Sequence, residues 1–132
     1  MDYGRLLQLA EKARENAYAP YSHFRVGAAL LCANGKVYTG CNIESASYGA
    51  TVCAERTAIC KAVSEGEREF SAIAISGVAE GKKGAFCAPC GICRQLLSEF
   101  CDSAMPVILG DENSHKIYTL GELLPLSFLL PD

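Results

Sequence analysis

Cys53-Ala54-Glu55-Arg56 and, further along, Pro89-Cys90-Gly91-Ile92-Cys93-Arg94-Gln95 are the stretches whose reading decides the fold. Each reads as the first turn of a helix. Cys90 and Cys93 are three residues apart, so their sulfurs share one helical face. A thiolate at a helix N-terminus is stabilised by the macrodipole and the free N–H groups, which lowers its pKa and suits it to bind metal. If the two helices lie side by side after neighbouring parallel strands, all three sulfurs meet at one edge of the sheet, where open α/β sheets bind ligands. Three thiolates make a tetrahedral zinc site with a position left open for water. Glu55, two residues after Cys53, is too close along the chain to chelate comfortably beside it and is free to move protons.

A bland reading stands beside this one. Cys87 precedes Cys90 by three residues, so Cys53, Cys87, Cys90 and Cys93 also form a candidate four-thiolate structural site. Three ligands are preferred, because Cys87 lies before Pro89 in a loop while Cys90 and Cys93 share a helix. Glu55 would have no evident purpose beside a closed site, although a glutamate in a first turn is common. Three thiolates overcompensate a divalent charge, which calls for a cation nearby. Arg56 and Arg94 are the candidates to donate to a ligand sulfur, with ordinary helix-surface arginine as the alternative.

Working outward, residues 2–17 carry Leu6, Leu9, Ala10, Ala13 and Ala17 at helical spacing, with Asp2 as a cap and Pro20 as a stop. Residues 25–33 and 36–41 flank Asn34-Gly35 and predict a β-hairpin. The apolar run Val26-Gly27-Ala28-Ala29-Leu30-Leu31 predicts a central strand covered on both faces. A polar loop over 42–51 then leads to a helix over 52–65, with Thr51 as a possible cap and Gly66 ending it. Residues 70–77 read as a buried strand and 78–88 as a loop. Pro89 opens a helix running to about Cys101, at a position where its missing N–H costs nothing. Strands over 106–109 and 115–119 and a short helix capped by Thr119 complete the chain. This alternation predicts an α/β fold with a mixed sheet and helices on both faces.

Composition narrows the function. At 132 residues the chain reads as one domain, 1–132. With 12 basic against 15 acidic residues and no basic run longer than Lys82-Lys83, no nucleic-acid partner is expected. Nothing approaches 18 consecutive apolar residues, so no membrane is expected and the location reads as cytoplasmic. Eight cysteines in a chain that is half hydrophobic argue against a disulfide scaffold. Cys32, Cys41, Cys60 and Cys101 read as small buried hydrophobes. His23 and His115, in a loop and beside a turn, are not expected to be ligands.

These residues resemble the cytidine deaminase family, in its small homotetrameric form with three cysteine ligands. The likeness extends to Tyr18-Ala19-Pro20-Tyr21-Ser22, Phe24, Val26-Gly27-Ala28-Ala29-Leu30, and Gly40-Cys41-Asn42-Ile43-Glu44 with Ala46 and Tyr48. It implies a three-layer α/β/α sandwich with a mixed, roughly five-stranded sheet. It implies one zinc per chain on Cys53, Cys90 and Cys93, with Glu55 taking a proton from the water, passing it to the pyrimidine ring nitrogen and helping ammonia leave. Asn42 and Glu44 would hydrogen-bond a ribose hydroxyl, Phe24 would pack on the nucleoside and the backbone of Ala54 would help read the base. Tyr48 and a C-terminal aromatic, for which Phe128 is the candidate, would reach a neighbouring subunit's site. Phe24 as core packing, Asn42 and Glu44 as turn residues, and Phe128 as part of a tail with Leu126, Leu129 and Leu130 are the plainer alternatives.

The resulting expectation is zinc-dependent hydrolysis of cytidine and 2′-deoxycytidine to the uridine nucleosides in pyrimidine salvage. Deamination of another cytosine-bearing small molecule, polynucleotide editing and a zinc-stabilised binding module are the competing readings. Asn42 with Glu44 argues against the first, and the acidic balance without a basic, aromatic strand-binding groove argues against the second. Glu55 argues against the third.

Overall fold

The structure is a computed structural model that describes residues 1–82, 84–85 and 87–130, with only the backbone of Gly84 and Ala85. Helix α1 (Tyr3–Arg14) starts where Asp2 accepts the Arg5 N–H at 2.8 Å. The strands β1 (Phe24–Cys32) and β2 (Val37–Cys41) form the hairpin around Asn34-Gly35, in antiparallel register. Helix α2 (Ala54–Ser64) and strand β3 (Phe70–Ala79) follow. A two-residue strand β4 (Gly84–Ala85), inside the segment read as a loop, pairs with the end of β3. Helix α3 (Gly91–Phe100), strands β5 (Pro106–Gly110) and β6 (His115–Thr119) and helix α4 (Leu120–Leu123) complete the order. Thr119 caps α4 in a reciprocal box with Glu122, as its sequence position suggested.

The sheet runs β2-β1-β3-β5-β6, mixed, with β4 beside it on β3. β1 is central and antiparallel to both neighbours, whereas β3 and β5 are parallel. The alternation of side chains along β1 assigns each residue to a layer. Val26, Ala28 and Leu30 pack with Ala54, Ala58, Ile59, Leu97 and Leu120 of α2, α3 and α4. Ala29 faces the other way, onto Leu6, Leu7 and Ala10 of α1. Three layers result, and both faces of β1 are buried. Each fully buried Leu or Ile in these clusters contributes about 1.5–3 kcal/mol through the apolar area it removes from water.

Two expectations needed correcting. The strands preceding the metal-bearing helices are not neighbours: β1 lies between β2 and β3, and the helices meet because both pack on the same face. The cysteines sit one position earlier than a first helical turn requires. Cys53 and Cys90 have extended backbone and are the N-caps of α2 and α3, so Pro89 stands outside the helix and Thr51 is not a cap.

Candidate metal centre and active site

The two caps point three sulfurs at one place. Cys53 Sγ lies 3.4 Å from Cys90 Sγ, and Cys90 Sγ lies 3.2 Å from Cys93 Sγ. All three lie within 4.8 Å of one another. Tetrahedral zinc–thiolate bonds of about 2.3 Å require sulfurs about 3.8 Å apart. The donor set therefore fits zinc after opening by a few tenths of an ångström. Cys93 is buried, while Cys90 is exposed and Cys53 half-exposed, so the cluster faces outward on one side. A hydrogen bond from the Cys93 thiol, helped by Cys90 and the charge of Arg56 against the cost of burial, brings Cys53 down to about 6. The bond that favours a thiolate on Cys53 pushes Cys93 up, so in the metal-free protein the cluster shares its protons unequally.

Glu55 lies one residue into α2 and is only 4% exposed. Burial pushes its carboxyl above the ordinary value, against its own backbone N–H, and the neighbouring Cys53 thiolate adds to the rise. A buried carboxyl with a raised pKa beside a three-sulfur cluster is equipped to hold and release a proton.

Cys87 lies outside the sulfur cluster. Burial, then the charges of Glu55 and Cys53, push its thiol up to about 11, so it remains protonated at neutral pH. Its Cβ and the Phe24 ring flank Gly77 of β3, where an added Cβ would lie 2.8 Å from the ring and 2.9 Å from Cys87. Gly77 thus provides the hollow on which Phe24 and Cys87 meet. Replacing Cys87 by Ser should leave about one zinc per chain, the stoichiometry of a three-ligand site. Metal analysis that found the zinc lost would restore the four-thiolate reading.

The segment before α2 builds a cleft. Glu44 Oε1 accepts the N–H groups of Tyr21 at 3.0 Å and Ser22 at 3.1 Å. Hydrogen bonds from Ser22 hold this carboxyl below its ordinary value. Tyr21, Ser22, Glu44, Ser45, Tyr48 and Thr51 line a cleft of about 440 Å³. Tyr48, 84% exposed, stands at its rim. Arg56 donates to Thr51 O at 2.9 Å, tying that wall to α2.

Other site residues have structural engagements that the sequence did not show. Asn42 accepts from Val26 N and donates to Phe24 O, both at 2.9 Å, so its amide fixes the start of β1. Ala54 is fully buried in the core under α2. Arg94 turns away from the sulfurs, giving Nε to Pro89 O at 2.8 Å and Nη1 to Leu123 O at 2.6 Å. The expected arginine support for the thiolates therefore comes through the charge of Arg56. Phe128 is 59% exposed, and its carbonyl accepts from Gln95 Nε2 at 2.6 Å. His23 pairs with Glu80 at 3.0 Å. Sequence reading missed Gln95 and Gly77. Gln95 stood beside the motif, but its partner is distant in sequence, and a glycine in a strand carried no chemical signal.

With this geometry in place, likeness to known proteins becomes informative. The family model for the cytidine and deoxycytidylate deaminase zinc-binding region matches residues 2–109. The chain belongs to this deaminase family. A cytidine deaminase of Sporosarcina psychrophila is 48% identical over 133 residues, covering 100% of this chain and 95% of that protein. One from Halalkalibacterium halodurans is 50% identical over 133 residues, covering 100% of this chain and 98% of the relative. The crystal structure of cytidine deaminase from Burkholderia pseudomallei superposes with a TM-score of 0.88 at 46% identity, covering 97% of this chain and 100% of that one. The metal of this deaminase family is zinc, and the three cysteines are placed to hold it. The α/β architecture is likewise that of these structures.

Proposed function

We propose that the protein hydrolyses cytidine and 2′-deoxycytidine to the corresponding uridine nucleosides and ammonia, as a step of pyrimidine salvage. The observation that carries this reading is the buried Glu55 beside the convergent sulfurs of Cys53, Cys90 and Cys93. Zinc, when held there, supplies a Lewis acid that makes water nucleophilic near neutral pH. Glu55 takes a proton from the attacking water, delivers it to the ring nitrogen next to C4, and serves the departing amine with the next. Water supplies the oxygen gained at C4, and the exocyclic nitrogen leaves as ammonia. Burial keeps the carboxyl protonatable through this cycle.

The cleft lined by Tyr21, Glu44 and Tyr48 takes the sugar, with Glu44 and Asn42 facing its hydroxyls and Phe24 packing on the nucleoside. Glu44 is held anionic, which favours a neutral nucleoside over a phosphorylated one. Residues 1–132 act as one domain. Tyr48 and Phe128, both exposed, reach a neighbouring active site in a homotetramer. Among the described residues no helix is long and apolar enough to cross a membrane. Thiols that must hold metal suit a reducing compartment, so the cytoplasm is the assigned location.

Ammonia release from cytidine, measured with zinc counted in the same purified sample, tests the reaction. The expected result is turnover with about one zinc per chain, as a single three-cysteine site requires. Zinc without ammonia would sink the substrate assignment. Sedimentation of that sample tests the assembly, and full activity migrating with a 14.1 kDa species would overturn shared sites.

A further inference from the structure

The start of α3 does more than carry two sulfurs. Directly after Cys93, Arg94 and Gln95 each send a side-chain donor to a main-chain carbonyl of the C-terminal segment. Arg94 Nη1 reaches Leu123 O and Gln95 Nε2 reaches Phe128 O, each at 2.6 Å. Arg94 also holds Pro89 O, at 2.8 Å, on the residue preceding the Cys90 cap. The chain between the two anchored carbonyls bends through Leu126, whose φ of 52° is left-handed although its side chain is fully exposed. A side chain disfavours that conformation, and no described residue of this chain covers Leu126 to repay it. The two anchors bracket it.

From this arrangement we infer that Arg94 and Gln95 form a clamp that registers the C-terminal tail on the metal-bearing helix. They are positioning residues. Both contacts go to backbone, so the clamp fixes the tail's path whatever its side chains are. Gln95 fixes Phe128 directly, and Arg94 fixes the start of the bend while buttressing the loop that delivers Cys90. The tail and the metal ligands therefore share one rigid element. If Phe128 meets substrate, a part of the inference that rests on the proposed function, its position depends on Gln95.

The test is the rate of chymotryptic cleavage within residues 124–130, compared between the zinc-loaded parent and Gln95→Ala. Cleavage follows the population of the detached tail, and one net hydrogen bond corresponds to about a fivefold change in that equilibrium, so cleavage should accelerate about fivefold. Zinc content should stay as in the parent. Arg94→Lys retains charge but not the two-pronged reach, and should speed cleavage in the same way. Unchanged cleavage in both variants, or zinc loss in Gln95→Ala, would overturn the clamp.

A double-mutant cycle on KM for cytidine then asks what the clamp serves. Gln95→Ala should raise KM about fivefold in the parent, with kcat within about twofold, and have no further effect in a Phe128→Ala background. Additive effects would overturn action through Phe128. Should Phe128→Ala alone leave KM untouched, the substrate role of Phe128 fails, while the cleavage result still decides the clamp.

Discussion

Glu55→Gln should lower kcat by about 10⁴-fold, while zinc content and fold persist. General acid–base catalysis by one positioned group contributes about 10²–10⁴-fold. The upper end is expected because one carboxyl handles successive transfers, from water, to the ring nitrogen and to the leaving amine. Glutamine keeps the shape of the side chain and its hydrogen-bonding capacity but cannot carry the proton. Stability should not suffer. In the metal-free protein the folded pKa of Glu55 is raised, so ionising it disfavours the native state as pH climbs above the unfolded value. An amide escapes that cost. Parent activity should also fall as pH decreases through the titration of Glu55, and this limb should be absent from any residual activity of the variant. Steady-state kinetics, metal analysis and thermal melting together decide the matter. A variant retaining a tenth of the parent kcat with its zinc in place would end the assignment of Glu55 as proton carrier.

The chemistry was legible in the sequence because its signals are local. Cys90 and Cys93 lie within one turn, Glu55 lies two residues from Cys53, and Asn34-Gly35 announces the hairpin within two residues. The three layers followed from periodicity, since Val26 to Leu30 could be apolar on both faces only in a central strand. What escaped is long-range. No local pattern states that β1 separates β2 from β3, because that order depends on how α2 crosses over. The partners of Arg94 are one nearby carbonyl and one 29 residues away, so spacing suggested a sulfur where the fold supplies Leu123 O. The structural role of Asn42 was likewise invisible, because its bonds to β1 join residues 16 and 18 positions apart. Leu7 was passed over for Leu9 on α1, although Leu7 is the one fully buried, because both fit a helical stripe of slightly different phase. β4 is too short to carry any pattern.

Gly40→Ala tests whether the site depends on the seating of one helix. Gly40 pairs with Ala28 across the β1–β2 ladder and faces the first turns of α2. A Cβ there would lie 2.6 Å from both Ala54 O and Ala58 N, and 2.8 Å from Thr57 Cβ. Two of these atoms are helix backbone, which cannot rotate aside. The helix must therefore lift by close to an ångström, and it carries Cys53 at its cap and Glu55 in its first turn. Overpacking of this kind costs about 1–3 kcal/mol. For a chain of this size that lowers Tm by roughly 3–10 °C. The loss of activity should exceed what the lost stability explains. A 1 Å misplacement of catalytic groups costs about 10²-fold, so kcat should fall by that factor at temperatures where circular dichroism reports an intact fold. Gly49→Ala is the control for stability, because a Cβ there meets no described residue of this chain within 4 Å and should leave Tm near the parent. If Gly40→Ala kept the parent kcat, α2 would have room that the structure denies it, and the close approach of α2 to β2 would not be what places Glu55 against the sulfurs.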